Sequence, residues 1–148
     1  MSNIFNINIE KETLDNINFR KVLNTTKNQQ LVVMSLKPNE HIPFEVHLQN
    51  DQFFRVEKGK IIARINKIKD VELNDGDIIM IPAGTWHEII NVSSTNDAKL
   101  YTIYSPPTHA PNKIDYVQPK NENSIEGGNL EYYKKKYLKY KTKYLLNK

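Results

Sequence analysis

The stretch GDIIMIPAGTWHEIIN, Gly76 to Asn91, decides the fold. Its punctuation is Gly, five residues, Pro, one, Gly, two, His, three, Asn. The spacing predicts a turn at Gly76, a buried strand over Ile78 to Ile81, and a reversal at Pro82 and Gly84. Glycine accepts positive φ and proline presets its own φ, so both residue types suit a reversal. His87 then opens the next strand, where its ring can point into a barrel.

Working outward, the chain from about Arg20 to Ser105 reads as short strands. RKVL, QLVVMSL, QFFRVEKG, KIIARI, DIIMIP, HEIINVS and KLYTIYS are rich in β-branched and aromatic residues. The breaks between them carry Pro38-Asn39, Lys58-Gly59, Asn74-Asp75-Gly76 and Pro82-Ala83-Gly84, all good turn chemistry. No segment here holds a long 3.6-residue period. This pattern predicts an all-β sandwich or small barrel.

Upstream lies EVHLQNDQFF, Glu45 to Phe54. Side chains alternate across a strand, so Glu45 and His47 are expected on one face. The chain has no cysteine, so a metal here must be held by His, carboxylate, amide or water.

The Gly76–Asn91 string resembles, position for position, the second conserved motif of the cupin superfamily. The first cupin motif runs His-x-His, three or four residues, Glu, six residues, Gly. Glu45, His47, Gln52 and Gly59 fall on that template. The resemblance covers about residues 30 to 105 and is nearest to small single-domain cupins similar to mannose-6-phosphate isomerase. It implies a cupin β-barrel (a double-stranded β-helix, or jelly roll) in residues 1–110. It also implies a metal set of Glu45, His47, Gln52 and His87 around one divalent ion (Zn, Mn, Fe or Ni). Relative to the template, Glu replaces one His and Gln replaces the Glu, so a carboxylate and an amide have changed places. An alternative keeps His87 as a structural residue, and a one-residue register shift would offer Asp51 instead of Gln52. His109, in SPPTHAP, His41 and Asp51 are candidate substrate contacts, although both histidines also read as loop residues.

The resemblance implies a small-molecule substrate and, in the nearest relatives, aldose–ketose isomerisation of a sugar phosphate. Two histidines and a carboxylate also suit a non-haem dioxygenase-like cupin. A non-catalytic cupin that binds a sugar, or builds a virion as a homodimer, is the third reading. Lys37, Lys99 and Lys113 are candidate phosphate contacts; no catalytic base is assigned.

The net charge of +4 hides two regions. Residues 129–148, NLEYYKKKYLKYKTKYLLNK, hold seven of the 21 basic residues and one of the 17 acids. The other 128 residues therefore carry 14 basic and 16 acidic side chains, a net −2. A basic nucleic-acid-binding body is excluded; the basicity belongs to the tail. Leu130, Tyr133, Tyr137, Tyr140 and Tyr144 recur at helical spacing, predicting an amphipathic helical tail after a linker over 111–128. The tail resembles Gly-Gly-led, Tyr/Lys-rich tails of giant-DNA-virus proteins. It is expected to contact virion components, nucleic acid or a membrane surface. With no signal-like N-terminus and no apolar run near about 18 residues, the chain is expected to be soluble and intracellular, in host cytoplasm or virion.

Overall fold

The computed structural model describes residues 3–120. The predicted tail and residues 121–128 of the predicted linker lie outside the described residues. Among the described residues one helix, α1 (Ile9–Asp15), precedes ten strands. These are β1 (Arg20–Thr25), β2 (Gln30–Leu36), β3 (His41–Glu45), β4 (Asp51–Lys58), β5 (Ile61–Ile65), β6 (Lys69–Leu73), β7 (Ile78–Ile81), β8 (His87–Asn91), β9 (Ala98–Ser105) and β10 (Ile114–Asp115). They form two antiparallel sheets, one ordered β10-β1-β2-β9-β4-β7 and the other β3-β8-β5-β6.

Alternation decides which residues meet between the sheets. On the larger sheet, Phe54, Val56, Ala98 and Leu100 are buried while their strand neighbours are less so, and β2 is buried on both faces from Val32 to Leu36. On the smaller sheet, Ile61, Ala63, Leu73 and Ile89 meet them in one apolar cluster. Burial of this kind contributes roughly 1.5–3 kcal/mol for each large side chain. The predicted turns form where glycine and asparagine allow left-handed backbone: Asn39, Gly76 and Gly84 have φ of 62°, 85° and 82°.

Four features differ from the sequence reading. The strand Ile78–Ile81 is an edge strand rather than a buried one, with Ile78 48% and Met80 72% exposed. Its four apolar residues in a row resemble a core strand, but only one neighbour, β4, pairs with it. The strand KDVEL was not legible because it too lies at an edge and buries only Leu73 fully. The N-terminal arm contains α1, capped by Asn8, whose side chain accepts from Lys11 N at 3.0 Å. It packs against β2, β4 and β9. Finally, the described part of the segment read as a linker, residues 111–120, keeps contacts with the barrel. Ile114–Asp115 pairs with β1, buried Arg20 bonds Asp115 at 2.7 Å, and Gln118 donates to the His41 carbonyl at 2.8 Å.

Candidate metal centre

Three side chains predicted as ligands converge between the sheets. Glu45 ends β3 opposite His87, which begins β8, after a register shift between Ile42 and Glu45. His47 lies just beyond β3 in the loop to β4, so it reaches the site from a loop and not, as expected, from the strand itself. The loop is fastened to the Pro82–Trp86 turn. Gly84 N donates to the His47 carbonyl at 2.8 Å, and Ala83 N donates to Asp51 Oδ1 at 2.9 Å. Trp86 stacks on Phe44 beside them, with ring centroids 5.0 Å apart, and buries Val46. The two quoted motifs are thus locked to each other, and their histidines with them.

Glu45, His47 and His87 are 7%, 5% and 1% exposed, and their nearest donor atoms all lie within 4.8 Å of one another. Glu45 Oε1 is 3.2 Å from His47 Nε2 and 3.5 Å from His87 Nε2. Two donors each about 2.0–2.1 Å from one tetrahedral ion stand about 3.3 Å apart, so the spacing fits a shared ion. The hydrogen-bond chemistry agrees. His87 Nδ1 lies 2.9 Å from the Thr85 carbonyl, which can only accept, so Nδ1 carries the proton. In the neutral ring Nε2 is then a bare lone pair; it is buried and has no hydrogen-bond partner. It faces a carboxylate, which is also an acceptor. Burial pushes the Glu45 carboxyl upward, but when the facing ring nitrogens carry protons, hydrogen bonds and charge from His47 and His87 override it and hold the group well below the usual carboxylate range. An ionised carboxylate and an imidazole lone pair face each other comfortably only across a cation or a proton.

Gln52 points inward from β4, and its amide nitrogen donates to Thr102 Oγ1 at 3.1 Å. That bond leaves Gln52 Oε1 buried with no hydrogen-bond partner. Asp51 points the other way, is exposed, and ties down the Pro82–Trp86 turn. Between the two registers weighed from the sequence, alternation on β4 therefore selects Gln52 as the inward residue. His41 is not gathered into the site. Its side chain is 44% exposed and Nδ1 lies 2.7 Å from Glu88 Oε1, whose carboxylate also approaches Arg64.

His109, read from the sequence mainly as a surface loop residue, is 91% buried. The Gln30 side chain holds it: Nε2 donates to the His109 carbonyl at 2.8 Å and Oε1 accepts from His109 N at 2.9 Å. His109 Nε2 lies 3.3 Å from the Tyr104 hydroxyl, and the Tyr104 ring stands edge-on to both His109 and His47, centroids 5.1 and 5.3 Å away. Burial, followed by the positive charges of Arg20 and Lys113, pushes the His109 imidazole down to about 3, so it stays neutral at ordinary pH. Tyr104 and Gln30 were missed in the sequence. Alternation in KLYTIYS could have placed Tyr104 inward with Leu100 and Thr102, whereas nothing local marks Gln30. Of the candidate phosphate contacts, Lys99 is spent on the Asn16 carbonyl and Ser35, and Lys113 lies 3.8 Å from Asp115.

Two antiparallel sheets enclosing a His/His/Glu group define the class of protein, and comparison with known proteins agrees. Residues 32–104 match the Cupin domain family. Uncharacterized protein L612 of Acanthamoeba polyphaga mimivirus is 50% identical over 143 residues, covering 95% of this chain and 88% of L612. The crystal structure of BH2720 from Bacillus halodurans superposes with a TM-score of 0.74 at 38% identity, over 76% of this chain and 89% of that one. A cupin sugar phosphate isomerase from Silicibacter pomeroyi shares the fold at a TM-score of 0.52 and 18% identity, over 60% of each chain. The chain belongs to the cupin family. Among the described residues, no helix is long and apolar enough to cross a membrane.

Proposed function

We propose that this cupin binds one divalent metal ion through Glu45, His47 and His87, with Gln52 Oε1 as a fourth donor. The observation that carries the reading is the buried, partnerless His87 Nε2 facing the Glu45 carboxylate, 3.5 Å away. A second buried atom without a partner, Gln52 Oε1, supports the fourth position. An N/O set of this kind suits Zn, Mn, Fe or Ni. Near-stoichiometric metal by elemental analysis of gently purified protein is the expected result. Protein that purifies metal-free, and whose melting point ignores added Zn, Mn, Fe and Ni, overturns it.

The reaction we favour is aldose–ketose isomerisation of a sugar phosphate. A bound ion would supply a Lewis acid that polarises adjacent carbonyl and hydroxyl oxygens of the sugar. Support comes from the mixed Glu, His and Gln donors at the centre. The fold-level likeness to the Silicibacter pomeroyi protein is weaker support, since fold does not name a reaction. Interconversion of aldose and ketose phosphates, followed by NMR in D2O with metal-loaded protein, is the test; no interconversion across the hexose and pentose phosphates sinks this reaction. A second reading has its own observation: the clustered group is two histidines and one carboxylate, the ligand count of many non-haem iron oxygenases. Iron-dependent oxygen uptake without isomerisation would favour it.

A further inference from the structure

Outside the three clustered ligands, the interior holds a second polar group that the metal reading does not use. Tyr104 is 2% exposed, and its ring stands between His47 and His109. On β9, Tyr104 lies two inward positions beyond Leu100, whose partners on β2 and β4 are the apolar Met34 and Val56. Burying a phenol and an imidazole costs stability unless they are hydrogen-bonded, and even then an apolar pair of the same shape would serve packing as well. The surroundings also look built to hold His109 in place. Gln30 grips its backbone from both sides and accepts from Thr108 N, while Asn50 holds the Pro106 and Pro107 carbonyls. A segment that crosses the end of the barrel is thereby fixed with its imidazole turned inward.

We infer that Tyr104 is a ligand-contacting residue for an oxygen chelator bound at the Glu45–His47–His87 centre, and that His109 is its positioning residue. The inference rests on the metal reading of that centre. A phenol can donate one hydrogen bond and accept others. With its hydroxyl oxygen accepting from the Nε2–H tautomer of His109, Tyr104 can direct its own O–H to a ligand oxygen, and its ring lies beside His47. His109 also feels the charge of Glu45 and His47, which places the pair within electrostatic reach of the centre. Because the imidazole remains neutral, the pair adds hydrogen-bonding direction without adding charge. The ligand class that fits is a molecule chelating through two adjacent oxygens, a hydroxy-carbonyl compound or its enediolate.

The test uses the full chain loaded with Co(II) and acetohydroxamic acid as an O,O-chelating probe, with affinity read by calorimetry and the visible Co(II) spectrum. Tyr104→Phe, which removes only the hydroxyl, should keep the parent's metal stoichiometry and weaken the hydroxamate by about tenfold or more, the size expected for a hydrogen bond to a charged ligand. His109→Gln, which retains a side-chain hydrogen bond, should weaken it less than His109→Ala. Should either alanine or phenylalanine variant fail to fold, the His109→Gln spectrum carries the comparison. Hydroxamate binding equal in parent and Tyr104→Phe, or metal uptake with no hydroxamate binding at all, overturns the inference while leaving the metal centre standing. Failure of the parent to take up metal overturns both, and is seen before the probe is added.

Discussion

Along β9, one strand builds two different interiors. At its start Ala98 and Leu100 sit beside Leu36 and Met34 of β2, and Leu100 beside Val56 of β4. Toward its end Thr102 and Tyr104 sit beside Val32 and Gln30 on one side, and beside Phe54 and Gln52 on the other. The same strands, in the same register, pass from an apolar plug to a polar chamber within two residues per strand. Opposite the polar rows stand Glu45 and His87; opposite the apolar ones stand Ile61, Ala63 and Ile89. The difference suggests a division of labour. One end of the interior supplies most of the folding free energy, and the other accepts desolvated polar groups that the fold alone does not need.

That division can be broken experimentally, most visibly at the apolar end. Leu100→Ala removes a fully buried side chain and should lower the unfolding free energy by about 2–5 kcal/mol in urea titrations, with metal content unchanged at temperatures where the variant is folded. A comparable loss of metal would show that the two ends are not separable. At the polar end the order of effects reverses. Glu45→Gln should abolish near-stoichiometric metal uptake, yet shift the melting point of metal-free protein far less than Leu100→Ala does. Retention of tightly bound metal by this variant would exclude Glu45 as a ligand.

Acid should act on the polar end first. The His109 side chain stays neutral in the fold down to about 3, whereas in the unfolded chain it takes up a proton below about 6.5. The unfolded state then binds more protons, so stability falls as pH drops below 6.5, by at most about 1.4 kcal/mol per pH unit for one group. Glu45, whose folded value is depressed, adds its own loss only below its ordinary 4.5, as the carboxylate that stabilises the fold becomes protonated. Between pH 4.5 and 6.5, His109→Gln should therefore flatten the stability profile of metal-free protein. An unchanged slope would mean that His109 is already solvated. The smallest effect is expected from deletion of residues 127–148, which should leave both ends intact and change stability by under about 0.5 kcal/mol. Collapse of the barrel or loss of its metal in that variant would tie the tail to the core.

The fold was legible because its strongest signal is local. Gly76, Pro82, Gly84 and His87 carry the turn and strand entry within a dozen residues, and backbone conformation answers directly to those residue types. Glu45, His47 and His87 were legible because they fall on the two cupin motifs that the sequence resembles. Edge strands were not. KDVEL buries too little to show alternation, and IIMI shows apolar residues whose burial depends on how many neighbours the strand has. His109 was misread because its burial comes from Gln30, 79 residues earlier in the chain.

By itself, then, the sequence determined the β architecture and the family resemblance, both consequences of short-range spacing, and the resemblance implied the three clustered groups. Tertiary structure alone decided which side of β4 faces inward, that His47 arrives from a loop, and that Tyr104 and His109 join the chamber. Those outcomes depend on register and on contacts between distant segments. Hydrogen bonds such as Gln30 to His109 form only after the sheets have brought their strands together.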